Sequence, residues 1–142
     1  MKIKIIPHYS KDYWKCVRLR DKILREPLHL MFSEEELFLE NNQIHIANFE
    51  ENHVTGCLSL VKIDSETLKM RQVCVSEEKQ GKGIGSEMIK FAENWARNNH
   101  FQQIECNARE SVVPFYLNHH YSKIGESFKE VGLVHYKMKK SL

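Results

Sequence analysis

The segment VSEEKQGKGIGSEMIKFAENWARNN, residues 75–99, couples a glycine-rich turn to the most regular amphipathic helix in the sequence. Three of the chain's six glycines, Gly81, Gly83 and Gly85, alternate within the turn. The apolar face of the helix is formed by Ile84, Met88, Phe91, Ala92 and Trp95. Glycine lets a ligand approach the backbone closely, and free amides at a helix N-terminus attract anions. The segment therefore predicts a phosphate-binding turn, with Lys79 and Lys82 adding positive charge beside it.

The spacing of these glycines excludes two common phosphate-binding motifs. No G-x-x-x-x-G-K-[ST] is present, so the turn is not a P-loop. The pattern G-x-G-x-G also lacks the final spacing of the dinucleotide fingerprint. An ordinary tight turn without a ligand is the alternative that the motif alone leaves open.

Length and composition indicate one globular domain over residues 1–142. A net charge of +2 gives no indication of nucleic acid or an anionic membrane as a partner. Four dispersed cysteines predict buried, reduced thiols, and His119-His120 predicts a solvated loop, so no metal site is expected. No apolar run is long enough for a signal peptide or a membrane span, which predicts a cytoplasmic location.

The chain reads as alternating strands and helices. The predicted strands are residues 2–6, 43–49, 54–63, 67–75, 101–107 and two more after residue 120, and short connections make the second to fourth an antiparallel meander. Helices are expected from the N-cap Ser10 to Pro27, after Ser33, over residues 84–97, and after a cap at Ser111. Asn98-Asn99 predicts a left-handed helix exit. Trp14 and Trp95 are predicted to be core residues.

Three segments in this order resemble one known family. QGKGIG, residues 80–85, matches the Q/R-x-x-G-x-G/A signature of the GNAT superfamily of acyl-CoA-dependent N-acyltransferases, and follows an apolar strand ending in VCV. ARESVVPFYLNHHYSKIGESF, residues 108–128, resembles the second half of that fold, and GLVHYKMKK resembles its closing strand. The resemblance implies an α/β (α+β) GNAT fold: a mixed, mostly antiparallel sheet of about six to seven strands, splayed between the fourth and fifth and flanked by about four helices.

The resemblance also implies acetyl-CoA as the acyl donor. The pantetheine arm would pair with the strand backbone at 73–75, and the amides at 81–86 would take the pyrophosphate. The cofactor-binding residues expected on this basis are Val73, Cys74, Val75, Gln80, Gly81, Lys82, Gly83, Ile84, Gly85, Ser86, Asn107 and Tyr116.

The catalytic roles implied are a backbone oxyanion donor at Val75 and a general acid at Tyr116, which would protonate the leaving thiolate. The alternative for Tyr116 is packing of its helix against the sheet. Cys74 is expected to be an inert, buried thiol, because direct transfer is the norm of the family. The expected reaction is transfer of acetyl to a primary amine.

Several assignments stay open at this level. No glutamate lies in the middle of the strand over 69–75, so the general base is Glu66, Glu105, His135 or water. Arg20, Arg25 and His135 are candidates for contact with the acceptor, and Arg109 reaches either a phosphate or solvent. A homodimer stays open, and the alternative function is a non-catalytic acyl-CoA-binding regulatory or interaction domain.

Overall fold

The computed structural model describes residues 1–142 and is centred on a seven-stranded sheet of order β1-β2-β3-β4-β5-β7-β6. The strands are β1 Lys2–Ile6, β2 Ile44–Glu50, β3 His53–Lys62, β4 Thr67–Val75, β5 Gln103–Arg109, β6 Ser122–Glu130 and β7 Leu133–Ser141. Every neighbouring pair is antiparallel except β4 and β5, which run parallel. The prediction of a mixed, mostly antiparallel sheet is confirmed.

Four α-helices flank the sheet: α1 Lys11–Arg20, α2 Glu34–Phe38, α3 Ile84–Asn98 and α4 Val113–Asn118. Ser10 caps α1 by accepting from the amide of Tyr13, and Ser33 forms a capping box with Glu36 at the start of α2. α1 continues into a π-helical turn, Asp21–Arg25, and a 3₁₀ turn, Glu26–Leu28, that contains Pro27.

The two faces of the sheet bury different material. α3 and α4 cover one face, where 17 buried residues form an apolar cluster around Met88, Ile89 and Ile104. α1 covers the other face with a smaller cluster of eight, which includes Cys16, Cys57 and Cys74. All four cysteines are buried and free, as predicted. None of the helices has the length and apolar content that crossing a membrane requires.

The sheet opens into a cleft between β4 and β5. Their parallel ladder runs from Thr67 opposite Gln103 to Met70 opposite Cys106 and then stops. Beyond this point β4 contains a bulge, where Gln72 has a φ of +56° and the register against β3 shifts. A bulge bends and twists the strand that carries it, so β4 turns away from β5. The predicted splay between the fourth and fifth strands is confirmed.

Three local predictions are wrong. The left-handed residue after α3 is His100, with a φ of +67°, because the helix runs through Asn98 and its C-cap Asn99 has a negative φ. Ser111 does not cap α4, since it lies inside a preceding 3₁₀ turn and Val112 is the N-cap. Trp14 is 40% exposed, because it lies on the outer side of α1 and stacks on Tyr9.

The strand β6 lies at one edge of the sheet and is exposed along its whole length. Its pairing with β7 is interrupted between Ile124 and Phe128, where Gly125 has a φ of +72°. Glycine is suited to this position, because other residues adopt a left-handed backbone at a cost.

Candidate active site

The cleft between β4 and β5 contains a cavity of about 570 Å³. Its walls come from β4 (69–75), β5 (106–109), Tyr116 of α4, the π-helical turn (23–25) and His135 of β7. The end of β4 has no partner from β5 here, so backbone groups on that side are available to an extended ligand. The volume is typical of a small-molecule site.

The glycine-rich turn leads from β4 into α3 beside this cavity. Gly81 and Gly83 have φ of +79° and +85°, and a Cβ built on either has no atom within 4 Å. Gly83 is the N-cap of α3, and no side chain caps the helix. The amides of its first turn therefore have no side-chain acceptor, and the helix dipole favours an anion there. Lys82 is exposed in the same turn.

Other residues of the motif hold the turn and α4 in place. A Cβ on Gly85 would lie 3.3 Å from Cζ of Phe115, so this glycine lets α4 pack closely against α3. The Gln80 amide donates to the carbonyl of Val75 at 3.0 Å and closes the turn onto β4. Ile84 is buried in the core.

His119 and His120 lie in a turn and His120 is exposed, as predicted, but His119 is not solvated. His119 is half-buried, with Nε2 2.9 Å from the Ser86 hydroxyl, and burial lowers its pKa. The bond ties the end of α4 to the first turn of α3. No group of three or more His, Cys, Asp or Glu side chains is arranged to hold a metal ion.

Tyr116 lines the cavity where β4 and β5 part. It is 6% exposed, and burial, followed by the neighbouring Cys106 thiol, raises its pKa. Burial also raises the pKa of Cys106 to about 12. Both groups therefore stay protonated at neutral pH, so the phenol holds a proton beside the cleft.

His135 is the one candidate base that lines the cavity. Its Nδ1 lies 2.9 Å from the carbonyl of Leu133, which can only accept, so the neutral ring carries its free lone pair on Nε2. Nε2 lies 3.5 Å from the carboxylate of Glu130. Glu105 instead pairs with Lys137 at 3.6 Å, outside the cavity wall. Glu66 lies at the other end of β4, in the turn that precedes it.

Comparison with known proteins places this geometry in a family. The model of the acetyltransferase (GNAT) domain matches residues 21–142, most of the chain. The chain belongs to the GNAT acetyltransferase family. A putative N-acetyltransferase from Lactobacillus plantarum superimposes with a TM-score of 0.86 at 19% identity, covering 100% of this chain and 99% of that one.

Two ligand-bound structures share the fold. An aminoglycoside 6'-N-acetyltransferase complexed with coenzyme A has a TM-score of 0.83 at 12% identity, covering 99% of this chain and 97% of that one. A GNAT family acetyltransferase from Elizabethkingia anophelis with acetyl-CoA bound has a TM-score of 0.73 at 18% identity, again covering 99% and 97%. At these identities the likeness shows the GNAT fold.

Most of the residues predicted for the site line the cavity between β4 and β5. The predicted residues that line it are Val73, Cys74, Val75, Gln80, Gly85, Asn107, Tyr116, Arg25 and His135. Gly81, Lys82 and Gly83 lie in the turn between the cavity residues Gln80 and Gly85.

Arg20 is not brought to the cavity. It is 2% exposed, and its Nη1 and Nη2 donate to the Glu40 carboxylate at 2.8 and 2.6 Å. Burial opposes the charge of Glu40, but the hydrogen bond and charge of Arg20 outweigh it and hold the pKa of the carboxyl below its usual value. The guanidinium thus acts within the fold, and it is not available for an acceptor.

The other two arginines with predicted roles, Arg25 and Arg109, contact groups of the protein itself. Arg25 lines the cavity, stacks over Phe32 at 4.1 Å and pairs with Glu36 at 3.1 Å. Arg109 lines the cavity, and its Nη2 donates to the carbonyl of Leu24 at 3.1 Å. That bond joins the end of β5 to the π-helical turn and fixes one wall of the cavity.

Sequence reasoning missed Glu130, Lys69 and Arg71 as cavity residues. Lys69 and Arg71 alternate with Leu68 and Met70 in a period-two strand, which places them together on one face, and this pattern could have found them. Glu130 carried no such signal, because its approach to His135 depends on the β6–β7 hairpin.

Proposed function

We propose that residues 1–142 form a single GNAT domain that transfers acetyl from acetyl-CoA directly to a primary amine. The observation that carries the proposal is the cleft. A stretch of β4 that has no partner on its β5 side runs past a protonated phenol into a glycine turn with free helix amides. The coenzyme-bound structures of the same fold support acyl-CoA as the donor.

In this proposal the donor lies along β4. The pantetheine amides pair with the backbone at 73–75, beyond the last β5 partner at Met70. The pyrophosphate binds the amides at 81–86, where Gly81 and Gly83 leave the approach open and Lys82 adds charge. Gln80 keeps the turn closed onto Val75, and Asn107 borders the arm from β5.

The reaction needs three groups from the protein. The amine nitrogen attacks the thioester carbonyl, and the Val75 amide donates to the oxygen that gains charge. The new N–C bond forms as the C–S bond breaks, and Tyr116 donates its proton to the departing sulfur. Nε2 of His135 takes up the proton that the amine loses, and the Glu130 carboxylate can accept a hydrogen bond from it.

The burial and protonation of the cysteines favour direct transfer over a covalent acyl-enzyme intermediate. Cys74 is 4% exposed, and its sulfur lies 3.6 Å from that of Cys57 beneath α1. The raised pKa of Cys106 leaves its thiol protonated and a poor nucleophile. Four free thiols also support a cytoplasmic location, which we include in the proposal.

The proposal is tested by titrating acetyl-CoA calorimetrically and then following thiol release with a panel of primary amines. Gly83→Val places a β-branched side chain at the helix cap, so we expect binding to weaken at least about tenfold. Gly125→Val is the matched control, because Gly125 also has a positive φ and an open Cβ site but lies on β6. Equal affinity in both variants would refute the pyrophosphate site. Binding without thiol release from any amine would instead favour the non-catalytic alternative.

A further inference from the structure

Two cations on the α1 side of the cavity have no charged partner in the chain. Lys69 and Arg71 are half-buried on β4 and line the cavity just before the bulge. As residues i and i+2 of a strand, they point to the same face. Neither belongs to an ion pair within 4.0 Å, and neither side chain makes a hydrogen bond within the protein.

The nearby carboxylates are engaged elsewhere. Glu105 is opposite Lys69 in the parallel ladder, but its partner within 4.0 Å is Lys137. The Glu130 carboxylate lies beside His135. Arg109, a third cation of the cavity wall, donates to a neutral carbonyl. Arg25 is paired with Glu36, and Glu130 is the only carboxylate among the lining residues, so Lys69, Arg71 and Arg109 leave the wall with a net positive charge.

Lys69 and Arg71 lie on the face of β4 opposite to the Tyr116 phenol. Met70, between the two cations, points to the opposite face and joins the apolar cluster that contains Tyr116 and Cys106. A ligand bound at Lys69 and Arg71 thus enters from the α1 side, while the phenol lies on the α3 side. A small acceptor held there would reach the thioester at the point where β4 and β5 part.

We propose that the acceptor of this acetyltransferase is a small amine that also carries an anionic group, a carboxylate or a phosphate, bound by Lys69 and Arg71. The inference rests on the proposed function. Charge-assisted hydrogen bonds from half-buried cations are strong, and a guanidinium can hold either anion with two donors.

The same cations act on the amine itself. Nearby positive charge disfavours an ammonium, so the nucleophile is bound as the free amine that attack requires. A polycationic acceptor meets net repulsion, because Glu130 is the only carboxylate among the lining residues. The wall therefore selects against polycationic acceptors such as aminoglycosides, although an aminoglycoside 6'-N-acetyltransferase shares the fold.

Matched acceptor pairs test the proposal through thiol release. O-Phosphoethanolamine is compared with ethanolamine, and β-alanine with β-alaninamide, with kanamycin as the polycation. We expect kcat/KM at least about tenfold higher for the acidic member of a pair, and the better pair distinguishes phosphate from carboxylate. A preference for the neutral members or for kanamycin would overturn the proposal.

Variants identify the residues responsible. Lys69→Gln and Arg71→Gln should each raise KM for the acidic amines about tenfold, a larger change than either variant causes in the KM for ethanolamine. Lys62→Gln is the control, since Lys62 is an exposed lysine at the end of β3. Equal loss for acidic and neutral amines would overturn the assignment.

A binding measurement separates this inference from the transfer reaction. O-Phosphoethanolamine and β-alanine are titrated calorimetrically into the wild type and both variants, with coenzyme A present. Binding that the variants lose, without thiol release from any amine, would support the anion site and refute the acetyl transfer. Absence of both binding and an acidic preference would refute the anion site.

Discussion

The two faces of the sheet are stabilised in different ways. The α3 face contains a cluster of 17 buried apolar residues, five of them on α3 itself. The α1 face buries eight, three of them cysteines, next to the fully buried pair of Arg20 and Glu40. Apolar burial tolerates imperfect neighbours, whereas a buried ion pair requires both partners. We therefore expect the loss of one partner of this ion pair to lower the free energy of unfolding more than the loss of one apolar side chain on the α3 face.

The largest expected effect is that of Glu40→Ala on the α1 face. Removing the carboxylate leaves Arg20 charged and buried, and also removes the partner of the Tyr13 hydroxyl at 2.8 Å. We expect a loss of about 3–5 kcal/mol in the free energy of unfolding, measured with urea. The control is the double variant Arg20→Met with Glu40→Leu, which should recover most of the loss. A single-variant loss below about 1 kcal/mol would contradict the contrast between the faces.

The second-largest effect is expected when a cavity is created on the α3 face. Met88 is fully buried, so Met88→Ala should cost about 3 kcal/mol in unfolding free energy. Gly56 sharpens the test, because a Cβ there would lie 2.8 Å from Cε of Met88. Gly56→Ala should destabilise the wild type but cost much less in the Met88→Ala background. Additive losses in the double-mutant cycle would show that the two sites do not touch.

A smaller energetic effect, but a specific one, is expected for Tyr116→Phe. The change keeps the ring packing and removes the proton donor, so kcat should fall about 10²-fold, equal to roughly 2.7 kcal/mol, with little change in acetyl-CoA affinity. Tyr121→Phe is the control: Tyr121 is buried on the same face and donates to Glu93 at 2.9 Å. It should lose stability and keep turnover. The opposite pattern would make the Tyr116 hydroxyl a packing group.

The smallest expected effect is the pH dependence of stability from His45. Burial lowers the pKa of His45, so the unfolded chain binds its proton more tightly than the folded one. Its stabilising contribution is complete above a pH of about 6.5 and is lost as the pH falls toward the folded pKa, with a slope of at most about 1.4 kcal/mol per pH unit. Urea midpoints between pH 7.5 and 5.5 should show a shallower decline in His45→Gln.

His119 provides the matched comparison on the other face. Its pKa is also lowered by burial, but it is less buried than His45. The slope removed by His119→Gln should therefore be smaller than the slope removed by His45→Gln. An equal or larger reduction would remove the distinction between the two faces.

The sequence predicts the α3 face well, because its signals are local. The glycine motif and the amphipathic period of α3 lie within 25 residues, and the alternation of β4 marks its ends. The α1 face depends on partners far apart in the chain. Arg20 meets Glu40 across 20 residues, and Arg109 meets Leu24 across 85, so neither pairing leaves a trace in the spacing.

Backbone irregularities escaped prediction for a related reason. The bulge at Gln72 has no glycine to mark it, although it is the feature that parts β4 from β5. The π-helical turn after α1 has an ordinary helical sequence and brings Ile23 and Leu24 to the cavity. Tertiary contacts choose these conformations over the regular ones that the local sequence equally allows.

The exposed strand β6 also has a consequence for the behaviour of the protein at high concentration. A long, flat edge strand is a template on which another chain can add and start aggregation. β6 interrupts that template with the left-handed Gly125, and Lys123 and Lys129 place positive charge on both sides of the break. An incoming strand would have to follow a kinked edge and bury lysines, so this end of the sheet resists intermolecular pairing even though Ile124 and Phe128 are exposed on it.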